Sequence, residues 1–283
     1  MEIIDGKKIA QTIKDKVKIQ IEKEYLEKGI KVPCLACVVV EGNSASDIYV
    51  RNKEQACNAC NIDSKIIRLP NDITQEKLEQ TIESLSNDKD ISGVLLQLPL
   101  PAHLDSNKAI NKINPLKDVD CLTDKNLGEL FSAKGKIAPC TATGVIKMLN
   151  HQNVEIEGKR AVVIGRSLLI GKSVANLLEQ KNATVTICHS RTKNMQEITK
   201  QADILVVAIG KSEYIDESYI KDGAVVIDVG INRTEHGLKG DVHFESVSKI
   251  CSQITPVPGG VGPVTVACLM ENTLILDKIQ KGI

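Results

Sequence analysis

Tyr49 and Lys53 stand four residues apart, a spacing that puts an aromatic ring and an amine on one face of a single helix. The chain holds four tyrosines, two phenylalanines and no tryptophan, so an aromatic beside a polar stretch is uncommon in it. An amine can bind an anion or move a proton. With an ordinary pKa of about 10.4, an amine does the second near neutrality only where water is excluded or a cation sits beside it. Gln97 closes an apolar run, where open parallel sheets place their ligands, and Asp118 and Asp120 follow in a polar loop that can return to the same place. Taken singly, each also fits a plainer role: a solvated lysine, an edge tyrosine, a loop aspartate. Nucleophilic Ser–His–Asp chemistry finds no support, because no G-x-S-x-G turn is present and the five histidines are scattered.

A second group of residues suits phosphate. Ala161-Val-Val-Ile164 predicts a short buried strand, Gly165 ends it, and Val174, Ala175, Leu177 and Leu178 predict a helix over 172–180. Strand, glycine turn and helix form the opening unit of a dinucleotide-binding fold, whose helix start offers backbone N–H groups to a pyrophosphate. Arg166 and Ser167 stand where the G-x-G-x-x-G pattern wants a glycine, so a strand–helix corner with no ligand also fits. The next strand, Thr184–Cys188, ends in His189-Ser190-Arg191-Thr192, without the carboxylate that usually accepts from an NAD ribose. Arg166 and Arg191 instead suit the 2′-phosphate of NADP, which a carboxylate would repel. Two solvated surface arginines are the alternative.

The elements that must position these groups alternate along the chain. A helix is expected over 7–27, with Ala10, Ile13, Val17 and Ile21 on one face, then a strand from Cys34 to Val40. A helix beginning near Ser46 or Asp47, either of which can cap it, carries Tyr49 and Lys53 to Ala59. Strands at 65–69 and 93–98 flank a helix at 74–85, and Pro99-Leu-Pro101 stops the second of them. Short helices are expected at 105–113, 124–131 and 143–151, strands at 161–164, 184–188, 204–208 and 224–229, and a last helix over 264–279 that packs back on the first domain. Strands alternating with helices imply an α/β protein with mainly parallel sheets. The expected division is a first domain over 1–120, completed by the helix at 264–283, and a nucleotide-binding domain over 121–263 that includes bridging helices.

Bulk properties narrow the field. Charge is balanced, 36 basic against 36 acidic residues, so no overall field recruits nucleic acid or an anionic membrane. No apolar run reaches the length of a membrane span, and the start, Met1-Glu-Ile-Ile-Asp-Gly6, lacks the regions of a secretion signal; a cytoplasmic enzyme is expected. Nine cysteines, an odd number, fit a reducing compartment. Cys34-x-x-Cys37 and Cys57-x-x-Cys60 have the spacing of a four-thiolate zinc site. Residues three apart on a strand point to opposite faces, however, so core packing is preferred and no metal is expected.

Several longer runs resemble the bifunctional methylenetetrahydrofolate dehydrogenase/cyclohydrolases. They are Tyr49-Val-Arg-Asn-Lys53-Glu-Gln-Ala-Cys57, Gln97-Leu-Pro-Leu-Pro101, Lys117-Asp-Val-Asp120, Pro139-Cys-Thr141, Gly165-Arg-Ser167, Gly240-Asp-Val242 and Thr255-Pro-Val-Pro-Gly-Gly-Val-Gly-Pro263. The resemblance runs essentially end to end. It implies a homodimer in which each subunit pairs an N-terminal α/β catalytic domain with a Rossmann-type NADP-binding domain across a cleft. By position, Lys53 resembles the catalytic lysine and Gln97 its orienting partner. Tyr49 resembles the residue that stacks on the folate, and Asp120 the carboxylate that holds the pterin. Leu98 and Pro99 fall with the substrate-binding positions, and Pro258, Gly259 and Gly260 resemble the loop over folate and nicotinamide. Gly165, Arg166, Ser167, Ser190 and Ile231 match cofactor-contacting positions, and Arg191 joins them on the 2′-phosphate argument above. The sequence departs from the family's habit at Cys121 (often glycine), at Ala142 and Ser173 (commonly proline) and at His243 (an aspartate).

The implied chemistry is oxidation of 5,10-methylenetetrahydrofolate by NADP⁺ to the methenyl cation, then hydrolysis to 10-formyltetrahydrofolate. Hydride transfer needs positioning, whereas the hydrolysis needs proton transfer, for which Lys53 is the candidate. Gln97, being neutral, can orient an amine without holding it charged as a carboxylate would. Two other readings stay open on the residues alone: an NADP-dependent oxidoreductase of another class, and a nucleotide sensor in which Lys53 binds phosphate. Within the family, a member that keeps one of the two activities is the alternative.

Overall fold

The computed structural model describes residues 1–42, 44–235 and 237–283, residues 44–48 by their backbone alone. In chain order it opens with β1 (Glu2–Ile3), α1 (Gly6–Ile21, continued by a wide turn Glu22–Leu26), β2 (Cys34–Val40) and α2 (Ser44–Ala59). Then come β3 (Asp63–Leu69), α3 (Gln75–Asn87), β4 (Gly93–Leu96), α4 (Ser106–Ile110), α5 (Asp124–Phe131) and α6 (Cys140–His151). The rest is β5 (Arg160–Ile164), α7 (Ser173–Glu179), β6 (Thr184–Cys188), α8 (Met195–Thr199), β7 (Ile204–Val207) and β8 (Val225–Asp228). A hairpin of β9 (Asn232–Thr234) and β10 (Gly237–Lys239) follows, then α9 (Phe244–Val247), β11 (Gln253–Ile254) and α10 (Val261–Lys281). The expected cap of α2 at Ser46 or Asp47 lies outside the described side chains; the helix itself begins at Ser44.

The chain divides into two compact units. One comprises Gln11–Cys140 with Val266–Ile283, the other Met1–Ala10 with Thr141–Thr265. This partition differs from a division at 120 and 263 chiefly at two segments, with residues 264–265 also going to the later unit. Residues 1–10 go with the later unit because β1 pairs in parallel with β11, and residues 121–140 stay with the earlier one.

The first unit is built on a three-stranded parallel sheet of order β3-β2-β4. Val38, Val40, Leu78, Ile82, Val94 and Leu96 lie in the core between this sheet and α3 and α4. Local chemistry sets the helix starts: Thr74 accepts from the Lys77 amide at 3.3 Å, Asp105 from Lys108 at 3.1 Å and Thr123 from Asn126 at 3.3 Å. The C-terminal part of α10 belongs to the same unit. Its buried Asp277 accepts from the Tyr25 hydroxyl at 2.7 Å and from the Ser92 hydroxyl at 2.6 Å. Those bonds explain why a tyrosine and a carboxylate can both be buried there.

The second unit carries a six-stranded, all-parallel sheet of order β1-β11-β8-β7-β5-β6. Counting from β5, the order is 2-1-3-4-5 with β1 added outside, a doubly wound arrangement whose direction reverses between β5 and β7. Its central strands Ala161–Ile164, Ile204–Val207 and Val225–Asp228 are buried throughout, as unbroken apolar runs in a sheet covered on both faces should be.

Candidate functional site

In the first unit the sheet also reverses direction, at β2. Open parallel sheets bind ligands outside the carboxyl ends of the strands at such a point. β2 is followed by α2, which carries Lys53, and β4 runs beside β2 and delivers Gln97 one residue past its end. The Gln97 amide donates to the Val38 carbonyl at 2.9 Å, which fixes its backbone to the central strand. Its side chain is fixed at both ends: Nε2 donates to the Leu98 carbonyl at 2.6 Å, and Oε1 accepts from Lys53 Nζ at 2.8 Å. Gln97 is buried and Lys53 half-buried, so the amine is held by a neutral oxygen at the edge of solvent. Tyr49 lies one helical turn before Lys53 and is exposed. Leu98 is half-buried and Pro99 exposed, and the peptide between them is cis.

Asp120 reaches the same place by another route. Asp118 bridges in parallel to Val94 on β4, which brings the loop back along the sheet edge. Burial holds the Asp120 carboxyl above the usual carboxylate range, opposed by the nearby Lys53 ammonium and by hydrogen bonds from Cys140. Asp118, its neighbour by two, turns away. Its oxygens accept from the Leu122 and Thr123 amides at 3.0 and 2.8 Å and from Asn126 Nδ2 at 2.9 Å, so it organises the start of α5. Lys53, Gln97 and Asp120 are thus brought together, and Asp118 is not part of their group.

Two contributors went unread in the sequence. Cys140 is fully buried; burial and the Asp120 carboxylate hold its thiol well above the ordinary value, so it stays a neutral hydrogen-bond donor. Asn272 of α10 donates to the Val119 carbonyl at 2.9 Å and to Cys140 Sγ at 3.4 Å, bracing the loop that carries Asp120. The signal for Cys140 was the short run Pro139-Cys-Thr141, and that for Asn272 was a polar residue inside an apolar helix. The remaining thiols pack. All nine cysteines are free; burial pushes Cys57 up to about 12 and Cys60 up to about 11, which makes them neutral fillers. Among the described residues no group of three or more His, Cys, Asp or Glu is arranged to hold a metal ion.

In the second unit, Gly165 follows β5 with φ +130, and a side chain on it would meet the Ala208 carbonyl at 2.2 Å. Gly171 packs against it: a Cβ there would lie 2.3 Å from the Gly165 carbonyl. These two glycines do the work expected of a glycine fingerprint, at a different spacing. The helix starts at Leu168, not near 172, through a wide turn over Leu168–Lys172 that runs into α7. Ser167 caps it, accepting from the Gly171 amide at 3.4 Å, and Ser173 donates to the Leu168 carbonyl at 2.7 Å. A helix start leaves its first amides without intrahelical partners, which is what a pyrophosphate needs.

Register then places the two arginine-bearing turns side by side. Ile164 pairs with Cys188, and the Gly165 amide donates to the Cys188 carbonyl at 2.9 Å, so residues 166–167 and 190–191 leave adjacent strands at the same edge. Arg166, Ser167, Ser190 and Arg191 are all exposed, and neither guanidinium has a hydrogen-bond or ion-pair partner among the described residues. A cradle that side chains would fill, with two unengaged cations beside it, fits a dinucleotide carrying a 2′-phosphate. Ile231 lies past β8, exposed, with its Cδ1 within 3.8 Å of where a Cβ on Gly262 would be. Pro258 is exposed, Gly259 has φ +104, and Gly260 is buried so tightly that a side chain would meet the Pro256 carbonyl at 2.5 Å.

The loops at this edge rest on a pair of buried carboxylates, Asp228 and Asp241. Asp228 ends β8 and accepts from the amides of Gly230, Asp241 and Val242 at 2.9, 3.0 and 2.9 Å. Asp241 accepts from the amides of Ile209, Gly210 and Lys211 at 2.6, 2.9 and 2.8 Å and from Asn232 Nδ2 at 2.9 Å. Burial pushes the Asp228 carboxyl up to about 6, against the pull of its three backbone N–H donors, and Asp241 adds to the rise.

A doubly wound unit with a phosphate-ready turn, and a lysine held by a buried amide beside a carboxylate, define a nucleotide-dependent enzyme. Comparison with known proteins agrees. The pattern described as "Tetrahydrofolate dehydrogenase/cyclohydrolase, catalytic domain" matches residues 4–120, and "Tetrahydrofolate dehydrogenase/cyclohydrolase, NAD(P)-binding domain" matches residues 139–281. The chain belongs to the tetrahydrofolate dehydrogenase/cyclohydrolase family. It is 48% identical over 283 residues to the bifunctional protein FolD of Thermodesulfovibrio yellowstonii, covering 100% of this chain and 98% of that protein. The crystal structure of the bifunctional FolD methylenetetrahydrofolate dehydrogenase/cyclohydrolase from Campylobacter jejuni is similar at TM-score 0.96 and 42% identity, with 99% of each chain covered. The Trypanosoma brucei methylenetetrahydrofolate dehydrogenase-cyclohydrolase, complexed with NADP cofactor and inhibitor, is similar at TM-score 0.94 and 38% identity, covering 99% of this chain and 98% of that one.

Proposed function

We propose that this enzyme oxidises 5,10-methylenetetrahydrofolate with NADP⁺ and hydrolyses the methenyl product to 10-formyltetrahydrofolate, both at the folate site around Lys53. The observation that carries the reading is the 2.8 Å bond from Lys53 Nζ to Gln97 Oε1, at the carboxyl edge of the three-stranded sheet. Bound NADP⁺ supplies the hydride acceptor. Gly165, Arg166, Ser167, Ser190, Arg191 and Ile231 would hold it, and Tyr49, Leu98, Pro99 and Asp120 would hold the folate.

For the oxidation the protein's part is orientation: Tyr49 stacks on the folate and Asp120 accepts from its pterin ring. For the hydrolysis a water oxygen bonds to the methenyl carbon, and Lys53 takes the proton the water loses. As the ring C–N bond breaks, Lys53 returns that proton to the departing nitrogen, which restores the amine, and the remaining carbinol O–H proton leaves to solvent as the formyl C=O forms. Gln97 fixes the amine's direction through a neutral acceptor, so the charged form gains less than it would from a carboxylate. The methenyl cation itself disfavours a second positive charge beside it.

Lys53→Met keeps the length and removes the proton-transfer group. NADP⁺ binding is expected to survive, while hydrolysis of the methenyl compound, followed by its absorbance, falls to the uncatalysed rate. Full cyclohydrolase activity in that variant refutes the role. We further propose a homodimer, checked by light scattering, and a cytoplasmic location. The free thiols support the latter, and no helix among the described residues is long and apolar enough to cross a membrane.

A further inference from the structure

The strand order of the second unit gives the bound cofactor a direction. β6 and β8 lie on opposite sides of the reversal between β5 and β7. A dinucleotide crossing that point with its 2′-phosphate at Arg166 and Arg191, on the β5 and β6 side, lays its other end over β7 and β8. That end of the sheet is where Asp228 and Asp241 are buried, at 3% and 0% exposure.

Space for the two carboxylates is built into the backbone. A side chain on Gly230 would meet the Asp241 carboxyl carbon at 2.2 Å, and one on Gly240 would meet the Asp228 carboxylate. Neither carboxylate forms a salt bridge among the described residues; seven N–H donors hold them instead. The donors come from separate loops. Asp241 gathers residues 209–211 after β7 and Asn232 after β8, and Asp228 fixes the Asp241 backbone. The Asp228 amide also donates to Thr255 Oγ1 at 2.7 Å, at the start of the Pro256–Gly260 loop. Ile231, between Gly230 and Asn232, is thereby held against the first turn of α10.

We propose that Asp241, backed by Asp228, is a positioning residue for the nicotinamide half of the cofactor: it fixes, through hydrogen bonds alone, the loops after β7 and β8 against which that half lies. This rests on the NADP reading above. It assigns Asp241 no contact with substrate or cofactor. Asparagine in its place is nearly isosteric, yet its amide nitrogen faces two N–H donors in either orientation, so two of the four bonds are lost.

The test compares Asp241→Asn and the milder Asn232→Ala with the wild-type enzyme. Affinities for NADP⁺ and for adenosine 2′,5′-bisphosphate, a probe without nicotinamide, are measured by calorimetry. Cyclohydrolase activity, which consumes no cofactor, is measured alongside. For Asp241→Asn, NADP⁺ is expected to bind about tenfold or more weakly, the scale of one lost bond to a charged acceptor. The bisphosphate should bind within twofold of wild type. Asn232→Ala, which breaks one of the same four bonds, should weaken NADP⁺ in the same sense and less. Equal weakening of both ligands, or none in either variant, overturns the proposal. Failure of wild-type enzyme to bind the bisphosphate strikes the NADP reading itself.

Discussion

Gly171→Ala adds one methyl group at the point where the turn after β5 touches the helix that follows. The new carbon would lie 2.3 Å from the Gly165 carbonyl oxygen, 2.5 Å from its carbon and 2.9 Å from the Arg166 nitrogen. All three are backbone atoms, so no side chain can swing aside, and the turn must open by most of an ångström. Overpacking of this kind costs ~1–3 kcal/mol. Alanine's better helix propensity returns up to ~1 kcal/mol, because Gly171 lies within the helical turn Leu168–Lys172. The net loss of stability is therefore about 1–2 kcal/mol, which moves the melting temperature by several degrees. The functional loss should be larger, because the displaced turn carries Arg166 and Ser167. KM for NADP⁺ is expected to rise about tenfold or more, as a misplacement of 1 Å can cost a hundredfold, while cyclohydrolase activity stays within twofold. Gly128→Ala is the control: it lies in α5 with nothing within 4 Å of the new carbon, so it should stabilise by ~0.5–1 kcal/mol and leave both activities alone. An unchanged KM for NADP⁺ in Gly171→Ala would refute the argument that this glycine pair shapes the cofactor turn.

Two further outcomes are expected. Arg166→Ala should weaken NADP⁺ far more than NAD⁺, since only the former has a 2′-phosphate for the guanidinium to engage; steady-state kinetics with both cofactors checks this, and equal losses would remove the argument. Asp228 carries a pH signature. Its folded-state value of about 6 lies above the ordinary carboxylate value, so folding takes up its proton, and the stabilisation it lends below pH ~4 is lost as pH rises through 6. The difference is worth about 3 kcal/mol. Denaturation of Asp228→Asn, whose amide does not titrate, should therefore gain on wild type by about that amount between pH 4 and pH 7.5; a flat difference would sink the assignment.

Much of this was legible because the sequence repeats one physical pattern. Val38, Leu95, Val163, Val206 and Ile227 lie in short apolar runs bounded by glycine, proline or polar residues, and such runs, most of them rich in β-branched residues, suit buried parallel strands. The pairs that became β1 and β11 were not legible. Two residues carry no period, and each exists as a strand only because a neighbour offers a ladder edge. Nor was the true start of the helix after β5, since Leu168-Leu-Ile reads as apolar in any conformation and the wide turn is imposed by Gly171 meeting Gly165. Cys121 shows the converse. It sits at φ +58, where the family often has glycine, so the departure noticed in the sequence marks a left-handed position filled by a buried thiol.

The site divides along the same line. Lys53 and Gln97 could be paired in advance because each is displayed by one local element, a helix after one strand and the end of its neighbour, and parallel topology brings those ends together. Asp120 needed more: its carboxyl is held by Cys140 and its loop by Asn272, two residues far off in the chain whose polarity makes sense only once the backbone has closed around them. Asp241 needed the most, since its four donors come from two loops and none is a neighbour in sequence. An aspartate between glycine and valine reads as a turn residue. Its burial shows that the carboxylate is instead the fixed point and the loops are what it places. Groups that face the ligand are thus announced by type and spacing, whereas the groups that hold them are announced only by what they would leave unsatisfied if they were absent.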